Sequence, residues 1–251
     1  MSISAVIISF NEEKHIGKCI ESVRGIADEI LVLDSFSTDQ TEALCRAQGV
    51  RFEQHAFDGY VSQKNRATAM ASNNLILSLD ADEALSDDLR ESLIRIKQHP
   101  EADGYIFNRR NNWCGRWMKF TTLYPDRKLR LFDRRRAHWE GLDPHDFVKP
   151  DPGARILRIK GDLLHWAIEN LEEQKQKTDH FARISARSYY SAGKKAYPGS
   201  ALSHCAWRWF REYCIRLGFL EGRAGFQIAN YSALYAWKKY YYLRQLYESQ
   251  H

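Results

Sequence analysis

One run constrains the fold more than any other: Leu75-Ile76-Leu77-Ser78-Leu79-Asp80-Ala81-Asp82-Glu83. Five uncharged residues end abruptly in three acids. An apolar run this short reads as a strand buried on both faces of a parallel sheet. Open α/β sheets bind ligands just outside the carboxyl ends of such strands. Two carboxylates one residue apart at that spot can hold a hard divalent cation, and the cation can hold a diphosphate. The stretch therefore points to a nucleotide-linked substrate.

The rest of the first half repeats the strand–helix alternation. Ser4 to Ser9, Glu29 to Leu33 and Val50 to Gln54 are short apolar or β-branched runs. Ile16, Cys19, Ile20 and Val23 recur at helical spacing, with Asn11 as the expected N-cap. Ser37 with Gln40 suggests a capping box for a helix that stops at Gly49. Tyr60 to Ala71 reads as a helix, and Ser86 caps another that ends at His99-Pro100. This order predicts a mostly parallel, Rossmann-like α/β sheet flanked by helices. Gly104 to Arg109, Lys128 to Asp133 and Ile156 to Leu164 are further strand candidates, and from Leu171 the pattern turns helical, broken at Tyr197-Pro198-Gly199. The expected division is residues 1–170 as the catalytic domain and 171–251 as an amphipathic helical extension.

Charge divides along the same line. Residues 1–150 carry 21 Lys and Arg against 23 Asp and Glu, whereas residues 151–251 carry 16 against 9, giving −2 and +7 of the total +5. Thirteen of the 32 Phe, Trp and Tyr residues fall between Trp207 and Tyr247. A basic, aromatic-rich end suits an anionic membrane surface or a nucleic acid. No apolar run nears the ~18 residues of a membrane span, and none resembles a signal peptide. Five cysteines without a CxxC pair fit free thiols in a reducing cytosol.

The chemistry-bearing residues cluster at expected strand ends. Ser9, Phe10, Asn11 and Glu12 precede the first helix, whose N-terminus can receive a nucleotide, although a simply capped helix explains them too. Neither a GxGxxG nor a Walker pattern is present. Asp34 ends the second strand, where an acid can accept from a ribose or base, or cap a helix. Lys64 taken alone is a surface lysine. Asp80 and Asp82 are stronger, because charges abutting a buried strand are costly unless paired or metal-bound.

The ordered set Val6-Ile7-Ile8-Ser9-Phe10-Asn11-Glu12-Glu13, Leu33-Asp34-Ser35, Gln63-Lys64-Asn65 and Leu79-Asp80-Ala81-Asp82-Glu83 resembles the family 2 glycosyltransferases of GT-A fold, over residues 2 to 170. Within that family the chain looks most like bacterial lipopolysaccharide core β-glucosyltransferases, a similarity that extends into Arg130-Leu131-Phe132, Asp143-Pro144-His145-Asp146 and Leu164-His165-Trp166. The resemblance implies a UDP-sugar donor, transfer of a hexose, glucose, to an inner-core sugar acceptor, and Mg²⁺ or Mn²⁺. Asp34, Lys64 and Asp80 would serve the donor, with Asp82 and Asp80 on the metal. His165, which can reach the metal or the diphosphate, reads equally as a hydrogen-bonded core histidine, and Arg130 can neutralise the leaving phosphates or be a surface arginine. Asp146, or in reserve Glu140, would be the base. Trp113 and Trp117 offer flat faces for a sugar, or for core packing. A cytoplasmic enzyme, held to the inner face of the membrane by its carboxyl-terminal helices, is the expected setting. Two rivals stand: a haloacid-dehalogenase-type phosphatase, which also ends an apolar strand in DxD, and a nucleic-acid-binding module built on the +7 half.

Overall fold

The computed structural model describes residues 1–142, 145–197 and 199–249. Asp143-Pro144 of the acceptor-side motif and Pro198 of the expected helix break lie outside them. The chain divides into two units. The first comprises Met1–Arg109, Arg127–Gly141 and His145–Trp166; the second is built mainly of Arg110–Asp126 and the chain from Ala167 onward.

The first unit opens with the expected alternation: β1 (Ile3–Ser9), α1 (Ile16–Val23), β2 (Glu29–Asp34), α2 (Thr41–Ala47), β3 (Arg51–Gln54), α3 (Tyr60–Met70) and β4 (Leu75–Asp80). After them come β5 (Glu83–Leu85), α4 (Asp87–Gln98), β6 (Gly104–Trp113), β7 (Arg116–Trp117), β8 (Asp126–Asp133), β9 (Ala137–Leu142), β10 (His145–Pro150) and β11 (Ile156–Ile168). The sheet order is β3-β2-β1-β4-β8-β6-β11-β5, with β7 beside β6; β9 and β10 form a separate ribbon. Pairing is parallel from β3 through β4, and antiparallel where β8 joins β4 and β5 joins β11.

The central strands are apolar on both faces because both are covered. Ile3, Ala5 and Ile7 of β1 and Leu75, Leu77 and Leu79 of β4 pack with Ile16, Ile20, Leu89 and Leu93 of α1 and α4. Their alternates Val6 and Ile76 pack with Ala67 and Ala71 on the α3 side. That two-sided burial makes these strands near-continuous in apolar residues, as parallel strands are.

Two expected helix caps are corrected. Asn11 does not cap α1, which starts at Ile16; its Oδ1 accepts from Thr38 N at 2.8 Å. Ser37 and Gln40 form no capping box. Ser37 donates to Asp34 through both its amide and its hydroxyl, and α2 starts at Thr41. Asn11 found a partner in the neighbouring loop, and Ser37 a buried carboxylate three residues back. The cap by Ser86 is present, accepting from Leu89 N at 3.3 Å. Strands β6 and β11 run four residues beyond their expected ends at Arg109 and Leu164, and β5, β7, β9 and β10 had no expectation.

Strand β11 lies hard against the start of α4. Asp162 N donates to Ser86 Oγ and Ser86 N to Asp162 O, both at 3.0 Å. Gly161 makes this approach possible: its φ is +100°, and a Cβ there would stand 2.3 Å from Leu89 N.

The second unit holds α5 (Leu171–Ser191), α6 (Ser200–Phe210) and α7 (Arg223–Glu248), with a short π-helical turn, Arg211–Ile215, and a 3₁₀ turn, Gly218–Glu221, between α6 and α7. Small residues of α7, Ala229, Ala233 and Ala236, are buried, and Asp179 of α5 takes hydrogen bonds from Lys238 and Tyr242 of α7. Trp113 packs with Met118, Ile168 and Ile228 and donates to Gln174 at 2.8 Å, so it serves the core. Among the described residues no helix is long and apolar enough to cross a membrane.

Gly161→Ala should cost roughly 3 kcal/mol or more, combining backbone strain with a main-chain clash. Gly193→Ala, at φ +68° with open space around it, should cost only about 1 kcal/mol. Urea unfolding measures both; equal costs would mean that the approach to α4 is not what Gly161 provides.

Candidate active site

Strand β4 delivers Asp80 to the carboxyl edge of the sheet, between β1 and β8. Burial alone would raise the Asp80 carboxyl pKa, but Lys64 and then Arg130 outweigh it and hold the group well below the usual carboxylate range. Lys64 Nζ lies 3.0 Å from Asp80 Oδ1, an ion pair whose angles are not those of a hydrogen bond; that oxygen is buried without a hydrogen-bond partner among the described residues. Arg130 Nη2 donates to Asp80 Oδ2 at 2.8 Å and to Glu83 Oε1 at 2.7 Å. Glu83 is fully buried, takes Arg109 at 3.2 Å, and accepts the Asp80 amide at 3.0 Å. Arg130, at 2% exposure, is no surface arginine. Its guanidinium pKa is raised, since Glu83 and Asp80 outweigh the opposing effect of burial. Its Nε and Nη1 have no hydrogen-bond partner among the described residues.

Gln63-Lys64-Asn65 is the hub of this assembly. Gln63 Nε2 donates to Ser35 Oγ and His55 O, beyond the ends of β2 and β3. Lys64, buried rather than solvated, holds Asp146 Oδ2 at 2.7 Å as well as Asp80 and lies 4.4 Å from the Trp139 ring. Asn65 exchanges two hydrogen bonds with the Trp139 backbone, at 2.9 and 3.0 Å. One turn of α3 thus fixes the β9–β10 ribbon and sets Asp146 beside Lys64. Glu140, on the same ribbon, pairs at the surface with Lys149 at 2.7 Å and His138 at 3.6 Å.

Asp82 is positioned from the other side. Antiparallel pairing sets His165 of β11 opposite Glu83, and Trp166 N donates to Asp82 O at 3.1 Å. His165 Nε2 then lies 3.1 Å from Asp82 Oδ2. Burial works to raise the Asp82 carboxyl pKa; His165 more than offsets this, and the net direction is down. His15 stacks on Trp166 at 5.5 Å, and Lys18 lies 5.1 Å from that ring.

The nucleotide-side residues are also placed. Asp34 is fully buried and accepts from Ser9 Oγ at 2.8 Å, Ser37 N at 2.7 Å and Ser37 Oγ at 2.5 Å. Asp34 thereby organises the loops after β1 and β2. Asn11 and Glu12 take part in the same organisation, since Glu12 N donates to Thr41 Oγ1 at 2.9 Å. Phe10, Phe36 and Phe57 follow the ends of β1, β2 and β3 and are all exposed. Phe36, Phe57, Glu83, Arg109, Trp139 and Trp166 carry no sequence expectation as individual site residues; three exposed phenylalanines at successive strand ends are the signal that could have drawn notice.

The donor set fits a hard divalent cation. Among the described residues no three His, Cys, Asp or Glu side chains form a ready cage. Mg²⁺ sites, however, commonly use one or two protein ligands and complete their shell with phosphate and water. Two ligands at adjacent octahedral positions with ~2.1 Å bonds lie about 3.0 Å apart, close to the Asp82–His165 separation of 3.1 Å. Four acids (Asp80, Asp82, Glu83, Asp146) face three permanent cations (Lys64, Arg109, Arg130), leaving one negative charge over. Glu83→Ala should destabilise the protein by about 3–5 kcal/mol, the usual cost of stripping one partner from a buried charge cluster. Chemical denaturation checks this; a loss under about 1 kcal/mol, the range of surface pairs, would show that the cluster tolerates an unpaired arginine.

Residues 4–152 match the family Glycosyl transferase family 2. The chain is 32% identical to the lipopolysaccharide core biosynthesis glycosyltransferase LpsC of Rhizobium meliloti, over 78% of this chain and 74% of that one. It is 29% identical to an uncharacterized glycosyltransferase of Rickettsia conorii, over 98% of this chain and 90% of that one. In structure it resembles S. aureus TarS 1-349, solved in complex with UDP-GlcNAc, with a TM-score of 0.50, 15% identity and coverage of 100% of this chain and 91% of that one. That likeness concerns the fold. Family membership displaces the phosphatase reading of the DxD strand end, and the chain belongs to glycosyltransferase family 2, with a GT-A fold.

Proposed function

We propose that this glycosyltransferase moves a hexose, glucose in the first instance, from a UDP-sugar to a lipopolysaccharide core sugar, with inversion and with help from a divalent cation. The observation that carries this reading is Lys64, whose ammonium joins an acid at the end of β4 to an acid on the β9–β10 ribbon. Donor-side and acceptor-side carboxylates are thus fixed in one frame, as a single displacement requires. The acceptor class rests on the likeness to LpsC.

The roles follow from what each side chain touches. Asp146 accepts the proton of the acceptor hydroxyl as that oxygen bonds to the anomeric carbon. The bond from that carbon to the diphosphate oxygen breaks, and its electron pair leaves with UDP. Arg130, whose buried Nε and Nη1 have no hydrogen-bond partner among the described residues, receives the developing phosphate charge. Asp82 and His165 would hold Mg²⁺ or Mn²⁺, which would supply Lewis-acid neutralisation of the leaving group. Asp34 meets the nucleoside by exchanging the Ser37 hydroxyl for a donor hydroxyl. Asp146 is preferred to Glu140 because Lys64 ties it to Asp80 at the end of β4, whereas Glu140 pairs with Lys149 at the surface.

Asp146→Asn should lower kcat by about 10² to 10⁴, the usual contribution of a positioned base. Manganese-dependent UDP binding should remain intact by calorimetry. Asp82→Asn should instead remove the metal-dependent part of that binding. Near-full turnover by Asp146→Asn, with a single 1:1 UDP site intact, would move the base elsewhere. Loss of UDP binding in neither variant, nor on chelation of the metal, would defeat the metal assignment.

A further inference from the structure

Within the second unit, the turn between α6 and α7 exposes apolar side chains while burying its acids. Ile215, Leu217, Phe219 and Leu220 are 53%, 41%, 48% and 52% exposed. Soluble surfaces tolerate such residues singly; four within six positions form a patch. The same turn holds Glu212 and Glu221, at 0% and 2% exposure. Glu212 accepts from Thr122 N at 2.9 Å and from Arg211 at 3.0 Å. Glu221 accepts from Lys119 N at 2.6 Å and Phe120 N at 3.0 Å and pairs with Arg116 at 2.7 Å. Both negative charges are therefore consumed internally, whereas Arg216 and Arg223 remain at the surface.

The exposure is built into a braced turn. Leu217 adopts φ +57°, a conformation that costs a non-glycine residue energy, and it does so with its side chain in the open. Gly218 and Gly225 touch so closely that a Cβ on Gly225 would stand inside the Gly218 carbonyl. A turn with its acids locked inward and its apolar and cationic groups outward complements one kind of surface: an apolar layer beneath negative headgroups.

We propose that the Arg211–Gly222 turn is a shallow anchor for an anionic lipid surface, with Phe219 and Leu220 entering the acyl boundary and Arg216 and Arg223 on phosphate. The inference is independent of the donor and acceptor assigned above. It fits an enzyme whose acceptor is membrane-borne, without requiring one.

The test is cosedimentation of the full chain with vesicles of phosphatidylglycerol and phosphatidylcholine, against pure phosphatidylcholine. Binding to the anionic vesicles is expected, weakened by salt. Phe219→Ser with Leu220→Ser should reduce the partition coefficient at least about tenfold, from the apolar area withdrawn. Arg216→Glu should reduce it by about fivefold or more, the worth of one basic residue near a charged leaflet. Melting temperatures should hold, because these side chains are exposed. No vesicle binding, equal binding to neutral vesicles, or variants that bind like the parent would overturn the proposal. So would a concentration-dependent dimer in sedimentation equilibrium that the double variant abolishes, since the surface would then belong to a second copy.

Discussion

A lysine ammonium buried between two carboxylates organises the first unit of this protein. Lys64 lies within 3.0 Å of both Asp80 and Asp146, and removing any member would leave a charge stranded away from water. Such clusters tend to add little net stability over well-packed apolar residues, because desolvation offsets most of the attraction. What this one supplies is geometry. Asp80 belongs to the central strand, Asp146 to an outlying ribbon, and Lys64 to the helix between them, so the ion pairs fix in register parts that distant stretches of chain provide.

The remaining loops are set by the same economy of means. Asp34 gathers the loops after β1 and β2 through Ser9 and Ser37; Glu83 gathers Arg109, Arg130 and the Asp80 amide. Each buried acid satisfies several donors at once, which makes a buried carboxylate tolerable. Asp82 differs. Its side-chain partner is the histidine His165, and it belongs to the one-charge excess of acid in the cluster. The arrangement leaves room in the charge balance for a cation beside a diphosphate.

The parallel half of the fold was legible because burial on both faces imprints itself as uninterrupted apolar runs. Those strands located Asp34, Asp80 and Asp82 at the carboxyl edge with no three-dimensional information. Legibility failed wherever the partner was remote. Lys64 meets Asp146 across 82 positions, and a solitary lysine on a helix of mixed polarity carries no periodic mark of burial. Ser37 had a good local cap motif, but a buried carboxylate three residues back, with charge and two acceptor oxygens, outbid it. The strands of the β9–β10 ribbon are six residues each and carry no sustained apolar alternation, and β5 has three residues, too few for an alternation to register. The outward face of the α6–α7 turn was only half visible: its aromatics and arginines were plain in the sequence, whereas the inward turn of Glu212 and Glu221 was not.

The central claim is that the Asp80–Asp82 edge binds the departing nucleotide through a cation. A crystal structure of the protein with UDP and Mn²⁺ addresses it most directly. The account predicts manganese between Asp82, His165 and the diphosphate, Arg130 turned to a phosphate oxygen, and Asp146 still held by Lys64 and facing the open acceptor side. UDP bound with the Asp82–His165 contact intact and no metal beside it, or UDP lodged away from the end of β4, would contradict it.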